Sequence, residues 1–253
     1  MSAVARSRET RGPGPRARGA APCRSAARQR GLSLVELMIA LVLGLIVVAA
    51  VFNVYAGTAR SQRFTTGLMT MQESGRFGLS ALQRGLRLAG FSERLDFDPF
   101  VWADGGRGAD GRGERIVVRT EAPFDCAGVD TAAFGGVAEN AYEHDRARGV
   151  VTCAGNGGVP GDLVENVDEM RVLYGTDGNG DGVPERFVAH ADVASPADVV
   201  ALRVALLVNS GEGAVRSRNL SRSYAVLDTV TNPPFDDRVL REVFTTTVRL
   251  RNR

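Results

Sequence analysis

The sequence predicts an α+β fold, in which a long N-terminal α-helix with a membrane-spanning first half packs on an antiparallel β-sheet head. Three observations predict it. An arginine-rich segment, residues 1–31, precedes an uncharged stretch from Leu37 to Ala59. Apolar residues then recur at helical spacing as far as Ala89. The rest of the chain alternates short strand-like runs with turn-rich segments.

Residues 1–31 have the composition of a basic leader peptide. They hold eight arginines against one acid, Glu9, with Gly, Pro, Ala and Ser between them. Such a segment cannot bury enough apolar surface to fold. Because arginines in front of an apolar stretch stay in the cytoplasm, we expect a cytoplasmic N-terminus and a head on the opposite side of the membrane.

The next segment is long enough to span a membrane. Leu37 to Ala59 contains no charge, and its first sixteen residues are apolar apart from Gly44. The alternative is an ordinary signal peptide. The apolar region of a signal peptide is shorter and ends at a small-residue cleavage site, and no convincing site of that kind precedes Arg60. We therefore predict a single transmembrane segment within residues 32–59.

One carboxylate, Glu36, lies inside the apolar segment, with Leu32–Val35 before it and sixteen largely apolar residues after it. An unpaired acid inside a bilayer costs about 2.5–3.5 kcal/mol on the translocon scale. An incidental acid at the membrane interface is the alternative, and this cost disfavours it. Glu36 is therefore expected to have a partner or a function.

The residues around Glu36 resemble a known processing site. Arg30–Met38, RGLSLVELM, resembles the leader junction of type IV prepilins, in which prepilin peptidase cuts after the glycine and methylates the new N-terminus. The resemblance implies cleavage between Gly31 and Leu32 and N-methylation of Leu32, where the family most often has Phe. It also implies that Glu36 pairs with the free α-amine of another subunit, because a carboxylate beside an ammonium offsets the burial cost of both charges.

The helix is predicted to continue beyond the membrane. Apolar residues recur mostly three or four positions apart: Phe64, Leu68, Met71, Leu79, Leu82, Leu86 and Ala89. Gly90 is a natural C-terminal stop. The predicted helix therefore covers residues 32–90, and it is apolar on all sides in its first half and on one side in its second. The first half is expected to bundle with other helices and the second to pack on the head.

Residues 91–253 are predicted to form a periplasmic, β-rich head. The strand-like runs are Arg115–Arg119, Gly149–Cys153, Val167–Tyr174, Arg186–Ala191, Val199–Val208, Ser223–Leu227 and Val239–Leu250. Val199–Val208 is almost entirely apolar, so it is expected to be a central strand that faces the helix.

Later segments resemble the PilW-type minor pilins of type IV pili. They are Gln72–Phe77, Leu86–Phe91, Tyr174–Gly182, Val199–Val208 and Arg241–Arg253. The resemblance implies a pilin-like fold and a low-abundance, non-catalytic subunit that helps to prime pilus assembly. Its implied partners are other major and minor pilins, prepilin peptidase, the inner-membrane assembly platform and a tip adhesin. Its implied location is the inner membrane, then the pilus or cell surface.

Two cysteines remain after the leader, which contains Cys23, is removed. An even count outside the cytoplasm favours a disulfide between Cys126 and Cys153, with two free thiols as the alternative. No Cys-x-x-Cys motif or histidine partner beside either cysteine indicates redox catalysis.

A loop of alternating oxygen-bearing residues is a candidate calcium site. Asp177, Asn179, Asp181, the carbonyl of Val183 and Glu185 have the spacing of the first ligands of an EF-hand loop. The expected bidentate acid three residues later is replaced by Val188, so the affinity should be modest. A Gly/Asn/Asp hairpin between two strands fits the same composition. Both interpretations stay open.

Composition disfavours an enzyme or a nucleic-acid-binding protein. All 31 basic residues are arginine, which excludes a Walker-type lysine and Schiff-base chemistry. The two histidines, His144 and His190, are isolated, and no G-x-S-x-G motif occurs. The net charge of +2 becomes about −5 without residues 1–31, because 23 arginines then face 28 acids. Direct binding of phosphate backbones by this chain is therefore not expected.

Three alternatives to a pilus subunit remain. A type II secretion pseudopilin shares the same N-terminal motif, and gene neighbourhood or deletion phenotype would separate the two. A membrane-anchored enzyme has poor support from the residues. A membrane-anchored calcium-binding adhesin is the third alternative, suggested by the loop at Asp177.

Overall fold

A computed structural model describes residues 31–93, 97–100, 106–107, 113–215, 222–231 and 235–251. The predicted leader, apart from Gly31, lies outside these residues, as does Cys23. The chain divides into two compact units, one that ends at Phe52 and one that begins at Asn53. The first unit contains the start of a long helix, and the second contains the rest of that helix and all of the strands.

The described elements are one α-helix, eleven strands and three short 3₁₀ turns. The helix α1 spans Leu34–Arg87. The strands are β1 Gly106–Arg107, β2 Glu114–Glu121, β3 Val137–Asp145, β4 Val150–Ala154, β5 Pro160–Glu165, β6 Val167–Thr176, β7 Arg186–Val188, β8 Val199–Asn209, β9 Ala225–Val226, β10 Thr229–Val230 and β11 Arg241–Arg249. The 3₁₀ turns span Ala132–Phe134, His190–Asp192 and Pro196–Asp198.

Helix α1 is slightly shorter at both ends than the predicted range of 32–90. Its last turn tightens, because the amides of Leu88 and Ala89 donate to carbonyls three residues earlier, each at 3.2 Å. Gly90 then adopts a φ of 73°, which glycine accommodates without steric cost, and the chain leaves the helix there. The stop near Gly90 is as predicted, with the regular helix ending at Arg87.

The strands form two main antiparallel sheets and one small hairpin. The first sheet is a five-stranded meander in the order β1-β2-β3-β4-β5. The second has four strands in the order β11-β8-β6-β7, and β9 pairs with β10 separately. The fold is therefore α+β, with a long helix and antiparallel sheets, as the sequence predicts.

Four details of the strand prediction are wrong. The predicted strand Arg186–Ala191 ends at Val188, because the next residues turn into a 3₁₀ helix. The predicted strand Ser223–Leu227 is reduced to β9. Strands β3 and β5 were not predicted. Strand β3 contains three acids, which interrupt the apolar pattern expected of a strand. Strand β5 begins with a Pro-Gly pair, which is typical of turns.

The core of the second unit lies between α1 and the sheets. Alternate side chains of β8 are fully buried: Leu202, Val204, Leu206 and Val208. They share one hydrophobic cluster with Met71, Leu82 and Leu86 of α1. The prediction that β8 is a central strand facing the helix is correct.

Candidate functional site

The predicted cleavage junction lies at the start of α1. Gly31, Leu32 and Ser33 are not helical, and the amide of Leu37 donates to the carbonyl of Ser33 at 3.1 Å as the helix begins. Leu32 is 75 % exposed, and no atom lies within 4 Å of the space that a Cβ on Gly31 would occupy. The backbone on both sides of the Gly31–Leu32 bond is therefore open to a protease.

Glu36 lies in the first turn of α1, where the positive end of the helix dipole favours a carboxylate. Every residue from 31 to 55 is exposed. Helix α1 is also the helix among the described residues that is long and apolar enough to cross a membrane. The arrangement therefore places one acid beside the predicted new N-terminus and directly before an uncovered apolar helix.

Cys126 and Cys153 form a disulfide in the structure, with their Cα atoms 6.2 Å apart. The bond connects the loop between β2 and β3 to strand β4. Asn140 on β3 supports the same loop, because its Oδ1 accepts a hydrogen bond from the amide of Cys126 at 2.8 Å. The loop is thus fixed to two strands of the five-stranded sheet.

The candidate calcium loop connects β6 to β7, so it is the turn of a β-hairpin. Oxygens of Asp177, Asp181 and Glu185 all lie within 4.8 Å of one another. The side chain of Asp177 is buried, whereas Asp181 and Glu185 are exposed. Three carboxylates at this distance are compatible with the oxygen ligands that Ca²⁺ prefers.

Backbone amides of the loop already use many of these oxygens. Asp177 accepts from Gly180 and Gly182, each at 2.6 Å, and Glu185 accepts from Gly178 at 2.9 Å. These bonds are typical of an Asx-rich turn. The exposed carboxylates of Asp181 and Glu185 retain further lone pairs, so the loop fits both a hairpin turn and a cation site.

Two other predicted ligands also make local hydrogen bonds. Oδ1 of Asn179 accepts from the amide of Asp181 at 2.9 Å, and the amide of Val183 donates to Asp181 at 2.7 Å. From outside the loop, Nη2 of Arg249 donates to the carbonyl of Gly182 at 2.7 Å. The last strand β11 therefore holds the tip of this loop.

The sequence did not predict a buried ion cluster that joins separate parts of the head. Arg171 on β6 contacts Glu114 on β2 at 2.7 Å and Asp228, in the turn after β9, at 2.9 Å. The sequence feature that could have indicated this cluster is the position of Arg171 inside the otherwise largely apolar strand β6. Arg171 is buried with its charge paired, and an unpaired charge there would be costly, so the cluster is structural in character.

Burial also perturbs two titratable groups on β3. His144 is fully buried, and its Nε2 lies 2.9 Å from the carbonyl of Val167. Burial lowers the pKa of His144, because it penalises the imidazolium form. Burial likewise raises the pKa of Tyr142 to about 12. Both side chains pack inside the head, so their environment explains the shifts without a catalytic role.

Comparison with protein families matches two parts of the chain. The family described as Type IV Pilus-assembly protein W, PilW, matches residues 137–252. The prokaryotic N-terminal methylation motif matches residues 26–52, which include the predicted junction and Glu36. The match to PilW covers 116 of the 253 residues and lies entirely within the head. The methylation motif and the apolar helix support membrane anchoring through a single span, and the similarity to PilW suggests interaction with other pilins.

A solved structure is also similar to this chain. It is the type IV-like pilin TTHA1219 from Thermus thermophilus, with 18 % identity and a TM-score of 0.41. The match covers 72 % of this chain and 97 % of the other. Comparison with curated proteins finds no match.

Proposed function

We propose that this chain is a minor pilin that takes part in the assembly or priming of a type IV pilus. Prepilin peptidase cuts between Gly31 and Leu32 and methylates Leu32. The mature chain stays in the inner membrane, with its head in the periplasm, until the assembly platform adds it to a pilus with other major and minor pilins. Its role is structural and not catalytic.

The position of Glu36 carries this proposal. If the chain is cut after Gly31, Glu36 becomes the fifth residue of the mature chain and lies in the first turn of the helix, four residues from the new positive charge on Leu32. In a low-dielectric bundle, that carboxylate offsets the cost of burying the α-amine of an adjacent subunit. The exposed apolar residues that follow give the same helix a surface that lipid or other helices can cover.

A pair of substitutions at exposed acids tests the role of Glu36. In a strain that depends on this gene for piliation, Glu36→Ala should abolish recovery of the chain in sheared pili and should lower surface piliation. Glu242→Ala removes an exposed acid from strand β11 and should leave both measurements unchanged. Equal effects of the two substitutions, with equal membrane levels, would contradict the proposal.

The same strain separates a pilus from a type II secretion pseudopilus. Deletion of the gene should abolish twitching and surface pili while exoprotein secretion stays normal. Loss of secretion with normal pili would instead assign the chain to the secretion system, which uses the same N-terminal processing.

We also propose that the loop between β6 and β7 binds a calcium ion in the head. The closeness of the carboxylates of Asp177, Asp181 and Glu185 favours this second role. Calorimetry on the full chain in detergent should give heat on addition of Ca²⁺, and Asp181→Ala should remove it. Asp192→Ala, an exposed acid in a 3₁₀ turn, is the control and should retain it. No heat from the unsubstituted chain would refute the proposal and leave the loop as a hairpin turn.

A further inference from the structure

Charge is divided unevenly between α1 and the rest of the head. Residues 60–87, the second half of α1, contain five arginines and one acid. Residues 88–253 contain 18 arginines and 26 acids. One subunit therefore offers a positive helix and a negative head, a combination that attracts copies of the chain to each other in a head-to-helix arrangement.

The exposed face of α1 combines this positive charge with apolar side chains. Met69 and Phe77 are 64 % and 52 % exposed, although most apolar side chains of this half are wholly or partly buried. Arg76 and Arg84 are exposed beside them, and neither forms an ion pair within the described part of the chain. We call Met69, Arg76, Phe77 and Arg84 the α1 ridge. It also carries one acid, Glu73.

A second exposed apolar surface lies at one end of the five-stranded sheet. Phe124 and Phe134, in the loop between β2 and β3, are 59 % and 46 % exposed. Val159, in the turn between β4 and β5 at the same end of the sheet, is 76 % exposed. Asp130 is exposed in the same loop and forms no ion pair among the described residues. These four residues form the loop patch.

The charge around the loop patch is opposite to that of the α1 ridge. Residues 120–136 contain three acids and no arginine; Asp125 is buried, Glu121 is half-buried and Asp130 is exposed. The turn at 155–161 carries no charge. An acidic apolar surface of this kind complements an apolar surface that bears arginines.

The loop that carries Phe124 and Phe134 is held rigidly. The carboxylate of Asp125 accepts hydrogen bonds from the amides of Ala127 and Val129, each at 2.9 Å, and of Asn156 at 2.7 Å. A Cβ on Gly155 would overlap that carboxylate, so the two loops approach closely. The disulfide at Cys126 adds a covalent constraint. The apolar side chains are therefore presented to solvent in a preorganised form, which lowers the entropy cost of binding.

We propose that the loop patch of one subunit docks on the α1 ridge of a second copy of this chain. Asp130 then lies near Arg76 and Arg84, while Phe124 and Phe134 cover Met69 and Phe77. The two surfaces differ, so the contact is heterologous. The inference rests on the proposed function, because it treats the chain as a subunit that meets other subunits.

Charge reversal tests the contact in the purified, processed full-length chain in detergent. Sedimentation should show concentration-dependent self-association that weakens with added salt. Asp130→Arg should weaken it at least about tenfold, the loss expected of a central interface contact. Arg76→Glu with Arg84→Glu should have a similar effect, and the triple variant should regain most of the association. Glu242→Arg, an exposed acid on β11, is the control and should associate like the unsubstituted chain.

A second pair of variants tests the apolar part of the patch. Phe134→Ser should weaken association, and Val230→Ser, at another exposed apolar position, should not. A chain that is monomeric at all concentrations, or a triple variant as weak as its parents, would overturn the proposal. Either result leaves the pilus role intact if Glu36→Ala still blocks incorporation. Self-association without incorporation into pili would instead refute the proposed function alone.

Discussion

The two halves of α1 belong to one continuous helix but depend on different surroundings. From Leu34 to Phe52 every residue is exposed, and nearly all are apolar. In the second half, Met71, Leu82 and Leu86 are buried in the core of the head, and polar residues occupy the opposite side. The second half is stabilised within the molecule. The first half has an apolar surface that needs lipid or other helices to cover it.

This difference shows that the sequence pattern that predicts a helix and the packing that stabilises the helix are separate properties. Backbone hydrogen bonds are the same in both halves, but most helical stability in proteins comes from packing of an apolar face. Substitutions in the second half should therefore change the free energy of unfolding of the head. Matched substitutions in the first half should leave it unchanged and act only on membrane insertion or assembly.

The largest difference is expected for leucine truncation. Leu82→Ala should lower the free energy of unfolding of the head by about 2–5 kcal/mol, because it removes a fully buried side chain and leaves a cavity. Leu45→Ala, at an exposed position of the first half, should have no effect on that free energy. Denaturant unfolding of the full chain in detergent, followed by near-UV circular dichroism, measures both. Equal effects would mean that the two halves share one source of stability.

Loss of the disulfide should have the next largest effect and should be confined to the head. Replacement of both Cys126 and Cys153 by Ser should cost about 3 kcal/mol, because the bond closes a loop between residues 27 positions apart. The helicity of the first half in detergent should not change. Chemical denaturation of the purified variant gives the cost, and an unchanged midpoint would show that the bond does not stabilise the head.

Substitution of glycines in the two halves of α1 should show the same difference, with a smaller change in the free energy of unfolding. A Cβ on Gly75 would overlap the ring of Phe244 on β11, so Gly75→Ala should cost about 1–3 kcal/mol through overpacking. Nothing lies within 4 Å of the corresponding position at Gly44. Gly44→Ala should therefore leave the head unaffected. Thermal unfolding of both variants checks this, and a neutral Gly75→Ala would show that helix and sheet separate easily.

The smallest effect concerns pH and again involves only the head. Burial lowers the pKa of His144, although Glu169 and Asp168 nearby oppose the shift. The unfolded chain, with a histidine pKa of about 6.5, therefore binds a proton that the folded head resists. Stability from this group is complete above pH 6.5 and is lost as the pH falls below it.

A histidine variant isolates this contribution. His144→Gln keeps a donor near the carbonyl of Val167 and removes the titration. Between pH 7.5 and 5.5, the unfolding midpoint of the unsubstituted chain should fall more than that of the variant. Parallel pH profiles would show that His144 does not contribute.

The sequence predicted the features that depend on local pattern. The first half of α1 is apolar on all sides, and the second half has one apolar stripe. This pattern predicted both ends of the helix to within three residues. The apolar run of β8 gave its central position, and the count of cysteines gave the bonded pair. These features follow from burial and spacing along the chain, so a single sequence contains them.

Other features depend on contacts between distant residues and were not predictable. Strand β3 was missed because Glu139 and Glu143 mask its alternation, although they pair with arginines across the strand on β2. In the ion cluster, Arg171 contacts Glu114, 57 positions before it in the sequence, and Asp228, 57 positions after it. Periodicity contains no information about such pairs.

The chemistry of the mature N-terminus tests the central claim most directly. Mass spectrometry of the chain from purified pili or from the inner membrane should identify Leu32 as the first residue, with a methyl group on its α-amine. Recovery of the chain only with the Gly31–Leu32 bond intact would contradict the account, because Glu36 would then have no adjacent α-amine to pair with in a filament.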